Sequence, residues 1–445
     1  MRVAAANPLT VTACSCDQHR RDLVEALATS GLTRRGLLRG AVGVGTVAAL
    51  AGALPSWAGK SDLANRTWLA GDLHVHTTYS HDVWGGPDDD NTGFDESYTW
   101  GWTPGQQIAI ATARGLNFVA LTDHNRTDAL FADDYASSAL TLVPGYEHSL
   151  AGGHAGVFLP SRDSLHTLLT DTDGSTGFAG ADGILRFIAA ARDRGATVVL
   201  NHPFYKRDSP TAAPTWTYPV DASLGMDAVE VWNSVWFNRS EISSEVSYDD
   251  PAALPWWESQ FLPQVRKPLV GGSDNHWRIL TGIAGVGQPT TWVHADGSAP
   301  EQILAAIRAG RTTVSSQPPT TQGARLDPVV IEDWAGGQTV GLGDQVGARG
   351  PLVVRTAVNN GVGGTLRLVS TGQVVASTDV TLPGQVVEQR VVLPPGGWLR
   401  LELEAQRPGI GMLALTSPVY AGGKPPPTSA RQEPTTGVPV DYSFP

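Results

Sequence analysis

From Trp68 to about Ser316 the chain alternates short apolar runs with helical patterns. Phe118-Val119-Ala120-Leu121, Thr197-Val198-Val199-Leu200 and Pro268-Leu269-Val270 are rich in β-branched residues and read as strands. Between such runs lie helices with legible ends. Thr103-Pro104 supplies a capping residue and a first-turn proline for a helix that continues through Ile108 and Ile110 to Arg114 and ends at Gly115. A second spans about Asp182 to Arg194 and is stopped by Gly195. A third starts at Ser298 or Ala299, passes Ile303, Leu304 and Ile307, and stops at Gly310. Helices of this size between strands predict βα units around a parallel sheet or barrel over residues 68–316.

After Pro318 the period changes. Runs over 352–358, 364–369, 386–393 and 398–403 have partly alternating polarity and are joined by Gly- and Pro-containing turns, which predicts a small antiparallel sandwich over 325–421. Residues 422–445 are rich in Pro, Thr and Ser and read as a loosely held tail.

Length changes this picture little: 445 residues suit two domains, and 41% hydrophobic with 17% charged residues is ordinary globular composition. The first 58 residues separate from the rest. Thr33-Arg34-Arg35-Gly36-Leu37-Leu38-Arg39 precedes a mildly apolar run from Ala41 to Leu54, followed by Ser56-Trp57-Ala58, and this resembles a twin-arginine export signal. The run is shorter than the roughly 20 apolar residues a span requires and contains several glycines, so no stable membrane span is expected. The expected location is outside the cytoplasm, secreted or in the cell envelope, with the twin-arginine export machinery as a partner. Both cysteines, Cys14 and Cys16, lie in this leader, which leaves no thiolate for a ligand or nucleophile after its removal. The leader carries six arginines and three carboxylates, so the formal charge of −12 becomes −15 without it. That balance argues against nonspecific binding of duplex nucleic acid.

Candidate chemistry is concentrated in five stretches, most of them placed after or at the end of apolar runs: Asp72-Leu73-His74-Val75-His76, Thr122-Asp123-His124-Asn125, Glu147 with His154, Asn201-His202-Pro203, and Ser273-Asp274-Asn275-His276. Eight of the eleven histidines lie in or beside them. Several N and O ligands converging at strand ends are what a metal site requires, and barrel enzymes keep their chemistry at the C-terminal ends of their strands.

These motifs, in this order and with Thr77 and Ser80, resemble those of the PHP superfamily, named for polymerase and histidinol phosphatase domains. The likeness covers about residues 68–316, and the leader and β-rich C-terminal part resemble secreted bacterial members, including a branch with carbamate-ester hydrolases. The resemblance implies a distorted seven-stranded βα barrel holding two or three divalent ions, Zn, Mn or Fe. One would be held by His74, His76, Glu147 and Asp274, and a second by Glu147, His154 and His202 with Glu147 bridging. A third would use His124, His276 and a ligand from Ser80-His81-Asp82, where Asp82 is preferred and His81 is the alternative. Asp72 and Asp123 are expected to orient imidazoles. His148 follows Glu147 directly, so on a strand it faces the other way.

Closely spaced cations acidify a water to the attacking hydroxide and polarise the ester, so no Ser or Cys nucleophile is needed. Catalytic roles are expected for Glu147, Asp274 and Arg278, the last ranked first among Tyr79, Lys206, Arg207, Arg239 and Arg278 as a phosphate contact. A tryptophan-rich set, including Trp84, Trp100, Trp102, Trp216, Trp232 and Trp236, offers material for an apolar substrate wall. The expected activity is hydrolysis of a phosphomonoester or small phosphodiester. The same parts serve a carboxylic or carbamate ester, and a non-catalytic extracellular polymer-binding protein is the contrasting class.

Overall fold

A computed structural model describes residues 62–80, 101–150, 152–172, 180–204, 214–234, 250–276, 285–333, 337–347, 350–406 and 411–422. It is mixed α/β. The N-terminal part contributes β1 (Thr67–Asp72), β2 (Phe118–Val119), β3 (Thr141–Leu142), β4 (Gly145–Leu150), β5 (Gly153–Phe158), β6 (Thr197–Leu200), β7 (Ala228–Asn233), β8 (Leu269–Gly272), β9 (Thr290–Ala295) and β10 (Thr312–Ser315). Its helices are α1 (Pro104–Ala113), α2 (Arg162–Thr172), α3 (Gly180–Asp193), the single turn α4 (Val220–Ser223), α5 (Asp250–Gln260) and α6 (Pro300–Arg308). Thr103 caps α1 reciprocally with Gln106, and the stop glycines 115, 195 and 310 take positive φ of 77°, 74° and 75°, as chain reversal after a helix favours.

Among the described residues the strands do not close into one continuous seven-stranded barrel. They divide into a five-stranded sheet ordered β4-β5-β6-β7-β8 and a second sheet that includes β10-β9-β1-β2-β3. The pairs β6/β7, β7/β8, β1/β2 and β2/β3 are parallel, whereas β4/β5, β5/β6, β1/β9 and β9/β10 are antiparallel. The expected βα alternation fails at β4 and β5, which pair antiparallel and whose ends at Leu150 and Gly153 are too close in sequence for a crossover helix. The two sheets meet through the bridges Val75↔Asn275 and His124↔Glu147, and Thr291 Oγ1 links β9 to the Gly271 backbone of β8. Between them lies a core of Leu69, Phe118, Phe158, Val199, Val270 and Val293, closed by Ile303 and Ile307 of α6. Phe118 enters because residue 71 is glycine: a Cβ there would lie 2.3 Å from its ring.

The C-terminal strands are β11 (Arg325–Asp333), β12 (Thr339–Val340), β13 (Gln345–Val346), β14 (Leu352–Asn359), β15 (Gly364–Ser370), β16 (Gln373–Asp379), β17 (Gln385–Val391), β18 (Trp398–Ala405), β19 (Met412–Thr416) and β20 (Val419–Ala421). A four-stranded sheet, β12-β11-β14-β17, shares a core with β15, β18 and β19, built on Leu326, Ile331, Val354, Val358, Leu366, Leu401 and Leu403. This sandwich-like unit is not separate from the N-terminal part. β19 pairs antiparallel with β10, so β18, β20 and β13 extend the same sheet as β1 and β9. Among the described residues no helix is long and apolar enough to cross a membrane.

Candidate metal centre

The two sheets bring the five sequence stretches to one end. His74 and His76 follow β1, His124 follows β2, His202 follows β6, and Asp274 and His276 follow β8. Glu147 lies within β4. His154 opens β5, which runs antiparallel to β6, so its start meets the C-terminal end of β6, where the Asn201 N–H donates to the His154 carbonyl at 3.0 Å. Two ligand positions carry left-handed backbone, His202 at φ 24° and Asp274 at φ 51°. Such conformations are costly for non-glycine residues and persist where the surroundings impose them.

Glu147 is fully buried at the centre. Its Oε2 lies 3.2 Å from His74 Nε2, 3.3 Å from His76 Nε2 and 3.1 Å from His124 Nδ1. Its Oε1 lies 3.0 Å from His202 Nε2 and 3.4 Å from His154 Nδ1, and accepts a bond from Asn201 Nδ2 at 2.8 Å. Asp274 Oδ1 lies 3.2 Å from His74 Nε2, 3.1 Å from His76 Nε2 and 3.4 Å from His276 Nδ1. His74 Nε2 and His76 Nε2 are 3.1 Å apart.

These spacings test whether a cation fits. Metal–ligand bonds of about 2.1 Å place ligand atoms roughly 3.0 Å apart in an octahedron and roughly 3.4 Å apart in a tetrahedron. The five distances just given among His74 Nε2, His76 Nε2, Glu147 Oε2 and Asp274 Oδ1 run from 3.1 to 3.3 Å. Glu147 Oε2 and Asp274 Oδ1 are buried without a hydrogen bond of acceptable geometry. A buried carboxylate oxygen left in that state is costly, and a shared cation removes the cost. The residues fit a divalent metal.

One grouping has the residues expected for a single ion, and the other two differ, with His124 where His202 was expected and His76 where a ligand from Ser80-His81-Asp82 was expected. His74, His76, Glu147 and Asp274 converge as one set, His124, Glu147 and His154 as another, and His76, His124 and His276 as a third. His202 Nε2 lies 3.0 Å from Glu147 Oε1 and groups with His74 and Glu230. His81, Asp82 and Arg278 lie outside the described residues, as do Lys206, Arg207, Arg239 and the leader.

Electrostatics agree with this arrangement. Burial disfavours charge on His74, but Glu147, Asp274 and Glu230 together raise its pKa well above the usual range. For His76 burial is likewise outweighed, by Asp274 and Glu147, which push its pKa up to about 10. His202 is raised by Glu147 against the same burial. Burial works against the charges of Glu147 and Asp274 too, yet the imidazoles, His74 foremost, hold both well below the ordinary carboxylate range. The cluster therefore stores positive charge as protons where a cation would otherwise supply it.

Neighbouring polar groups fix the ligands. Ser80 Oγ lies 3.1 Å from His76 Nδ1, and Ser149 Oγ lies 2.8 Å from His124 Nδ1. Asp72 differs from its expected role: its bonds come from the backbone N–H groups of His74, Ser273 and Gly287, so it ties together the turns after β1 and β8. Asp123 accepts from the Thr77 N–H and hydroxyl. His148 points away and stacks on Phe187 at 4.3 Å. Glu230, absent from the sequence reading, touches His74 Nδ1 at 3.0 Å; its only sequence signal is an acid inside the apolar run Ala228-Val229-Glu230-Val231-Trp232.

Comparison with solved structures returns distant matches. A two-domain protein of Bacteroides vulgatus, described as containing a predicted PHP-like metal-dependent phosphoesterase, is 17% identical, with 80% of this chain and 97% of that one covered at a TM-score of 0.40. A protein of Bifidobacterium adolescentis assigned as a metal-dependent phosphoesterase is 18% identical (53% and 95% covered, TM-score 0.33). An amidohydrolase of Chromobacterium violaceum, solved with sulfate and without metal, is 17% identical (48% and 90% covered, TM-score 0.30). No protein-family model and no curated protein matches the chain.

Proposed function

We propose that this chain is an exported, metal-dependent hydrolase of phosphate esters, acting on a phosphomonoester or small phosphodiester. The observation that carries the hydrolase reading is the buried convergence of six imidazoles on Glu147 and Asp274, with one oxygen of each carboxylate left without a hydrogen bond. Two or three divalent ions, of Zn, Mn or Fe type, would supply an acidified water as nucleophile and draw charge from the ester oxygen. Glu147 spans two groups of imidazoles with its two oxygens, and Asn201 holds Oε1 in place. Asp274 gathers His74, His76 and His276 from a second side. The phosphate preference rests on the order of the PHP-like motifs and on the cationic residues Lys206, Arg207 and Arg278 that closely follow ligand-bearing stretches in sequence. Export rests on the Arg34-Arg35 leader.

Elemental analysis of the purified protein, coupled to paired aryl phosphate and aryl ester or carbamate substrates, tests this reading. Bound divalent metal with faster phosphate turnover is expected. Faster ester or carbamate turnover moves the assignment to a carbonyl esterase, and no turnover with either leaves the polymer-binding alternative. In the same preparations Arg34→Lys with Arg35→Lys should retain active protein inside the cell; normal export of that variant refutes the export route.

A further inference from the structure

Glu230 is 2% exposed in a strand whose other residues are also buried. Taking an ionised carboxylate into such surroundings costs several kcal/mol unless hydrogen bonds compensate it, and three groups do so. His74 Nδ1 lies 3.0 Å from Oε1. The His202 backbone N–H donates to Oε2 at 3.0 Å, and Asn233 Nδ2 donates to Oε2 at 3.1 Å. Asn233 Nδ2 also lies 3.3 Å from Asp274 Oδ2. One carboxylate thus reaches a ring, a backbone turn and, through Asn233, a second carboxylate, each belonging to a different ligand of the centre.

The space for these contacts depends on residue 272. A Cβ on Gly272 would lie 2.3 Å from Glu230 Oε1 and 2.4 Å from His74 Cβ, so glycine at the end of β8 lets the Glu230–His74 pair close. With Oε1 accepting from Nδ1–H, the lone pair of His74 stays on Nε2, the atom that faces His76, Glu147 and Asp274. The Oε2 bond to the His202 N–H anchors a residue with left-handed backbone.

We propose that Glu230 is a positioning residue that sets three ligands of the metal centre at once: the tautomer and aim of His74, the turn carrying His202 and, through Asn233, the carboxylate of Asp274. The inference rests on the metal-hydrolase reading. Partners that orient ligating histidines change metal affinity by roughly 10- to 100-fold when removed, and Glu230 reaches more than one ligand.

The test is a titration of metal-stripped full-length protein with manganese(II), with free ion counted by electron paramagnetic resonance, for wild type, Glu230→Gln and Asn233→Ala. Wild type is expected to take up the ion. Glu230→Gln should bind the tightest ion roughly 10- to 100-fold more weakly yet reach the same number of ions at saturation, with the metal-free variant still melting in a cooperative transition. Asn233→Ala should weaken binding by a smaller factor. Unchanged affinity in Glu230→Gln overturns the proposal, and a lost equivalent at saturation makes Glu230 a ligand instead. Should Glu230→Gln not fold, wild-type affinity in Asn233→Ala overturns it equally. A wild type that binds no divalent metal sinks the metal-hydrolase reading itself.

Discussion

Glu147 presents one carboxylate to five imidazoles, and its two oxygens serve different groups. An amide keeps the shape but replaces one oxygen with a donor and removes the charge. Glu147→Gln is therefore expected to lower bound metal by at least one equivalent and turnover by roughly 100-fold or more, the upper end of what even outlying partners of a metal site contribute. His148→Gln is the matched control, since it loses a stacked ring worth about 0.5–1.5 kcal/mol and should keep its metal. Full metal content in the Glu147 variant would sink the bridging role. At this scale the histidine-bearing stretches were legible because several N and O donors near strand ends have few other uses. Glu230 was not, because one acid in an apolar strand gives no spacing to read.

Elements were legible where their signals are local. The cap at Thr103 and the glycines after α1, α3 and α6 set helix ends to within a few residues. Pairing was not: the β4–β5 hairpin and the β10–β19 seam depend on tertiary contacts, the second across about a hundred residues. That seam bears on domain organisation. Leu415 of β19 pairs with Val314 and is buried in the core shared with Trp232, Trp257 and Leu269 of the N-terminal part. Arg400 of β18 bonds Glu258 of α5, and Arg266 bonds Gln345 of β13. The two regions should therefore melt together. Leu415→Ala, a buried large-to-small change costing about 2–5 kcal/mol, is expected to lower one shared calorimetric transition; two transitions, with only the C-terminal one displaced, would show that the regions fold independently.

For the whole molecule, the site couples protons, metal and stability. In the metal-free protein His76 titrates near 10 instead of 6.5, so its pairing with Asp274 and Glu147 contributes fully below about pH 6.5 and is lost as pH rises through 10. His74 and His202 are shifted in the same direction. Lys267 opposes them. It is buried at the far end of β8, donating to the carbonyls of Leu224 and Met226, and burial pulls its pKa down to about 7. Its neutral folded form therefore favours stability increasingly from about pH 7 to 10.5. The net slope of the metal-free protein mixes both signs, but the metal-loaded minus metal-free difference does not, because Lys267 lies away from the centre and cancels. Metal must displace the imidazole protons, so its stabilising effect should grow with pH across the window above 6.5. Melting temperatures at fixed free manganese(II), with and without metal, from pH 6.5 to 8.5 measure that difference. A widening gap is expected; a gap that is flat or narrows with pH would mean that the buried imidazoles are not the groups that yield to the ion.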